Sequence, residues 1–329
     1  MASLQLQGSS KSTAHQSRLI SMLRENILRT DKENLLQNLI ATMILYQYEV
    51  WTTDNRENIW ASHLCGAKKI MHASAATLEL FQHESSIIMD WIYYHEVISE
   101  FSLRHWAKAS TTDSFCKGPM AARPKTAITD DSVIPSGITC PMDALELIQI
   151  ICKRSSAYDD FDVPYDNRDM EQMRRLKHSI YETVGESGTF HEISREPLRR
   201  EEMLTYLYRC AALIYLNRAV LRMPSTAFQH RRLVREGILL LKNLGFCETA
   251  WPLFLIACEA GEDDQRLQIS EILSETTRQS RHRSNHIPLI QSMVEAIWNQ
   301  NDLNLDSEID YVRTLYTVVS TAPSLPLFA

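Results

Sequence analysis

Tyr94, His95 and Glu96 follow one another in the stretch WIYYHEVISEF, and Glu49 and His63 lie upstream. These side-chain types can move protons, so Glu49, His63, Tyr94 and His95 are the candidates for acid–base work on an apolar metabolite. Neighbours on a helix point about 100° apart, so His95 and Glu96 cannot form a dyad with each other, and each needs a partner from another element. A plainer reading stands beside each. His63 has no second His or Cys one turn away and reads as a satisfied histidine, while Glu49, within an apolar helix, reads as paired with a basic group. Glu96, Glu100 and Arg104 are spaced by four, as on an exposed charged face. His282 and His286 share the four-residue spacing of a helical metal pair, but the basic run RQSRHRSNH around them reads as a turn, and neither metal nor cofactor is expected.

Glu259 is a carboxylate at the end of AWPLFLIACEA, a run with no polar face in any helical register. A buried charge requires a partner, and Arg266 is the nearest, which makes a tie between two helices the expectation over a catalytic carboxylate. Thr249 reads as the cap of this helix, Pro252 fits its first turn, and Gly261 reads as the left-handed residue that ends it. Asp263 or Asp264 then caps the next helix.

The elements that must hold these residues are helical throughout. Apolar residues recur at helical spacing from about Ser17 to Arg29, through Leu35 to Trp51, Trp60 to Met71, Ile87 to Phe101, Leu145 to Ile151 and Met173 to Val184. Met203 to Leu221 forms the longest pattern, stopped by Pro224. Ser225 reads as the cap of a helix that Gly245 ends. Beyond the central run, helices carry Leu267 to Leu273, Ile290 to Trp298 and, after Ser307 as cap, Ile309 to Val319. The fold class expected is all-α, with packed helical hairpins around a buried helix at about Trp251–Ala260. Residues 1–17 read as a flexible N-terminal segment, 18–322 as one helical domain with a long irregular loop at about 108–141, and 323–329 as a tail.

Composition bounds the function. The 329 residues are 44% hydrophobic, enough for a sizeable core, and 9 Gly and 11 Pro are few for a turn-rich β architecture. A net charge of -7 argues against direct nucleic-acid binding by this chain, because phosphate contacts need clustered Lys and Arg. No apolar run is long enough to span a bilayer, so no membrane association is expected. The cysteines at 65, 116, 140, 152, 210, 247 and 258 are dispersed, with no C-x-x-C zinc spacing, and read as small hydrophobes in a reducing compartment. There is no Gly-rich phosphate loop, G-x-S-x-G elbow or H-E-x-x-H pair.

AWPLFLIACEA followed by acidic residues and Arg266 resembles the signature near the end of the fungal-specific transcription factor domain. WASHLCGAKKI from Trp60, WIYYHEVISEF from Trp91 and YLYRCAALIYLNR from Tyr206 match the same pattern in the same order. The resemblance implies an all-helical regulatory domain of a zinc-cluster transcription factor. Such a domain acts in the nucleus through protein partners or a homodimer, or through a small effector. The zinc cluster that binds DNA in that family is absent from this sequence. The alternative is a stand-alone helical protein of secondary metabolism, in the nucleus or the cytoplasm, that binds or transforms an apolar small molecule between its helices.

Overall fold

The structure, a computed structural model, describes residues 10–26, 32–52, 59–73, 82–106, 140–152, 164–184, 198–280, 286–303, 310–323 and 325–328. Most of the expected loop at 108–141 and the cap Ser307 lie outside them. Among the described residues every regular element is helical: α1 Ser10–Asn26, α2 Lys32–Thr52, α3 Ile59–Ala73, α4 Gln82–Arg104, α5 Met142–Cys152, α6 Asn167–Val184, α7 Arg200–Tyr215, a π-helical turn Leu216–Val220, α8 Phe228–Leu244, α9 Ala250–Cys258, α10 Asp263–Ser280, α11 His286–Leu303 and α12 Tyr311–Ser320. The all-α expectation holds.

The described residues form two compact units, one up to Glu96 and one from Val97 onward. In the first, α2 packs along α3 and α1 along α2. Leu39, Tyr46 and Trp60 are wholly buried there. The helix α1 begins at Ser10, within the segment 1–17; its Ser- and Gln-rich start lacks the apolar spacing that would have marked a helix there.

In the second unit α9 is the centre. All nine of its residues are buried, and it packs against α7, α8 and α11. A short helix with no polar face is stable only when enclosed on every side. Phe101 lies edge-on to Trp251, Tyr215 and Phe328, at centroid distances of 5.8, 5.3 and 5.3 Å. The Trp298 indole N–H donates to the Ala257 carbonyl at 2.8 Å, which also accepts the Ala260 N–H at 3.2 Å where α9 ends. Leu325, Leu327 and Phe328 are buried, and Phe328 packs on Phe254 at 4.7 Å, so the residues read as a tail complete the core. Their short Pro-broken run carries no periodicity to announce this.

Several helix ends differ from expectation. Thr249 holds the N-cap position of α9 without capping it through its side chain, because its hydroxyl sits 3.0 Å from the Cys247 sulfur. Glu259 itself ends α9, while the left-handed conformation occurs at Gly245, φ 74, where its N–H meets the Leu241 and Lys242 carbonyls. Ala227 rather than Ser225 precedes α8, and Asp310 caps α12 by accepting the Arg313 N–H at 3.0 Å.

Candidate functional site

The four acid–base candidates all fall in the first unit. Trp91 and His95, one turn apart on α4, bring their rings to 4.0 Å, and Tyr46 of α2 closes the group with its hydroxyl 2.9 Å from His95 Nδ1. Tyr94 meets His95 edge-on at 5.0 Å. Burial among these rings pushes the His95 pKa down to about 3, so the imidazole is neutral at physiological pH. Burial likewise holds the Tyr46 phenol well above its usual range, with Tyr94 adding to it. The structure therefore brings Tyr94 and His95 together, but as an enclosed, uncharged aromatic cluster. Glu49 is buried and accepts a hydrogen bond from Gln16 Nε2 at 2.6 Å. His63 is half-buried on α3, and burial lowers its pKa.

The exposed charged face expected on α4 is not found. Glu96 is buried and forms an ion pair with Lys68, which is buried too. Arg104 is 3% exposed and donates to the Ile151 carbonyl at 2.8 Å and to the Tyr165 hydroxyl at 3.4 Å. The four-residue spacing was read correctly as one face; that face turns inward because Lys68 and the open end of α5 each offer a partner. His105 Nε2 lies 2.9 Å from the Tyr215 hydroxyl in the same region. His286 is buried at the start of α11, whereas His282 lies outside the described residues.

Glu259 has a different environment from the one expected. Its Oε1 accepts from Arg218 Nε at 3.3 Å and its Oε2 from His230 Nε2 at 2.7 Å. Arg266 turns away, with both terminal nitrogens on Asp302 at 2.7 and 2.8 Å and its Nε on the Ala260 carbonyl. A bidentate carboxylate on the surface end of α11 matches the guanidinium fork, and Glu259 behind the turn does not compete. Burial by itself would raise the Glu259 pKa. The His230 hydrogen bond and the Arg218 charge outweigh it, so the carboxyl stays below its ordinary range and ionised.

Arg218 reaches Glu259 because of a local irregularity. The chain winds as a π-turn over Leu216–Val220, and the Leu221 N–H bonds back to the Leu216 carbonyl at 3.1 Å. Arg222 follows at φ 48, the one non-glycine residue with positive φ among the described residues, and the Met223 N–H returns to the Asn217 carbonyl at 2.8 Å. Arg218 Nη1 donates to the Met223 carbonyl at 2.5 Å, which locks the turn onto the Glu259 side. Single π-turns and left-handed non-glycine residues each carry a local cost and recur at functional positions.

Beside this cluster lies a half-open cleft of about 200 Å³ lined by Ser225, Thr226, Arg231, Val234, Glu259, Gly261, Glu262 and Gln265. The π-turn leads into Ser225 and Thr226, α8 supplies Arg231 and Val234, the turn between α9 and α10 supplies Glu259, Gly261 and Glu262, and the first turn of α10 supplies Gln265. Arg231 and Glu262, both exposed, bridge the rim at 2.8 Å. Of these residues sequence had singled out Glu259 for its charge, and Ser225 and Gly261 only as helix-end residues. Arg218 lies in the run YLYRCAALIYLNR, but a π-turn has no spacing signature, so nothing aimed it at a carboxylate 41 residues away. Among the described residues no group of three or more His, Cys, Asp or Glu could hold a metal ion, and no helix is long and apolar enough to cross a membrane.

Comparison with known proteins adds a family and a relative. The sequence model of the fungal specific transcription factor domain matches residues 1–318. A transcription factor of Pestalotiopsis fici, iacI, is 26% identical over 299 residues, which cover 89% of this chain and 72% of that protein. No solved structure matches the chain.

Proposed function

The chain belongs to the fungal specific transcription factor domain family, and from that premise we propose that it is a regulatory domain acting on transcription in the nucleus through protein partners or a homodimer, under control of a small effector. The family match over nearly the whole chain carries this reading. The relative named as a transcription factor supports it. The net charge of -7 supports indirect rather than direct engagement of DNA, since a polyanion repels an acidic chain. The polar cleft beside Glu259 supports control by a small effector.

Deletion of the coding sequence in the native host, followed by transcript profiling, tests the proposal. A defined set of transcripts changes, and re-expression of the chain restores it. Unchanged transcripts alongside the loss or build-up of one metabolite would instead support the alternative, in which the chain transforms a small molecule.

A further inference from the structure

The cleft is small and its walls are chemically mixed, and both facts constrain an occupant. Its volume of about 200 Å³ falls below the roughly 300–1,000 Å³ of pockets for drug-sized ligands. At about 30 Å³ per water it holds roughly seven waters, or one metabolite of similar bulk.

One wall presents the Glu259 carboxylate, whose charge is balanced behind it by Arg218. Glu259, its side chain only 6% exposed, uses one acceptor site on each oxygen for Arg218 and His230. An ionised carboxylate has about four such sites, so acceptor capacity remains on a group that lines the cleft. The carboxylate is held in place by the π-turn, Arg218 and His230 before any ligand arrives, which limits the ordering cost of binding.

The opposite requirement, a site for negative charge, is met at the rim. Arg231 is bound there to Glu262, with side chains 53% and 57% exposed. Such surface pairs contribute little to stability, so the guanidinium can exchange Glu262 for a ligand carboxylate at little cost. Ser225 and Thr226 add hydroxyl donors. The Gln265 carboxamide oxygen is occupied by the Gly261 and Glu262 N–H groups, which leaves its NH₂ as a further donor. Val234 supplies an apolar contact, room for an aliphatic side chain and little more.

We infer that this cleft binds a free α-amino acid or a close analogue. The ammonium is received by Glu259, and the carboxylate by Arg231 with Ser225 and Thr226. This deepens the regulatory reading, on which the role of the ligand as an effector rests; the binding itself does not depend on it.

The test is calorimetric titration of the full chain at neutral pH with each of the twenty common amino acids. Succinate and putrescine serve as probes that lack the ammonium and the carboxylate respectively. At least one amino acid binds, and neither probe does. Arg231→Gln, a rim change that leaves the core untouched, weakens binding at least tenfold. Glu259→Gln does the same where it folds, and Arg231→Gln decides the matter where it does not. Arg278→Gln, on the exposed pair with Glu275, leaves binding unchanged.

Failure of all twenty to bind the folded wild-type chain would overturn the assignment. So would binding that Arg231→Gln does not alter, or putrescine binding without any amino acid, which would mark a simple cation site. Amino-acid binding by a chain whose deletion changes no transcript would leave the site standing and remove its regulatory role.

Discussion

His95 and Glu259 are both buried, yet burial leaves one neutral and the other charged. Around His95 the described residues place the rings of Trp91 and Tyr94 and the Tyr46 phenol, and burial disfavours an imidazolium there. Glu259 has Arg218 and His230, and their combined effect exceeds the desolvation of its carboxylate. The two therefore respond to acid over different windows. Between about pH 6.5 and 3 the unfolded chain binds a proton at His95 that the folded chain refuses. Stability accordingly falls as pH drops through that range, by up to about 1.4 kcal/mol per pH unit. The share held by Glu259, whose folded pKa is lowered, is present above the ordinary carboxyl range and is lost only below it. His95→Gln is expected to flatten the dependence of stability on pH between 6.5 and 4 relative to wild type, read from denaturant unfolding at each pH. An unchanged slope would show that His95 is not the neutral buried ring described. Sequence marked both residues, because a titratable group in an apolar helical run stands out. Their partners, Tyr46, Arg218 and His230, come from other helices, and no spacing along the chain encodes those meetings.

At the scale of elements, α9 was legible because nine apolar residues leave a helix no exposed face. What lets α8 approach it was not. A Cβ placed on Gly237 would lie 2.9 to 3.1 Å from three side-chain atoms of Ile256, so the glycine is a close-packing position between α8 and α9. Alanine favours a helix interior by about 1 kcal/mol over glycine, but overpacking a core costs about 1–3 kcal/mol. Gly237→Ala is therefore expected to destabilise by about 1 kcal/mol in equilibrium unfolding. Combined with Ile256→Val, which removes the closest atom, it should cost less than the sum of the two single changes. A stabilised Gly237→Ala protein would contradict this packing. The π-turn after α7 makes a second prediction. Lysine at position 218 has no planar fork and cannot serve Glu259 and the Met223 carbonyl together. Arg218→Lys should cost about 1–2 kcal/mol, as one charge-assisted hydrogen bond is lost. It should also increase protease cutting between Met223 and Thr226, and cutting unchanged from wild type would show that Arg218 does not hold the turn.

For the molecule as a whole, the family and the all-helical class were legible because they are written in long, redundant patterns: the helical periodicity of the core faces and four matching segments in order. The cleft was not, since its walls come from Ser225, Thr226, Arg231 and Glu262, ordinary surface residues until the π-turn and the end of α9 bring them together. The acidic balance also operates at this scale. The chain alone should not retain duplex DNA at about 0.15 M salt, because an acidic chain neutralises few phosphates and so releases few of the counterions condensed on the DNA. A gel-shift titration that saturates would contradict that. On the proposed reading, influence on transcription comes through what the chain contacts near DNA. The most direct measurement is therefore transcription from a reporter gene when the chain is fused to a heterologous DNA-binding domain, with nuclear residence and fusion abundance checked in the same cells. A regulatory domain changes reporter output relative to the DNA-binding domain alone; a stable, nuclear fusion that leaves the reporter unchanged would contradict the regulatory function.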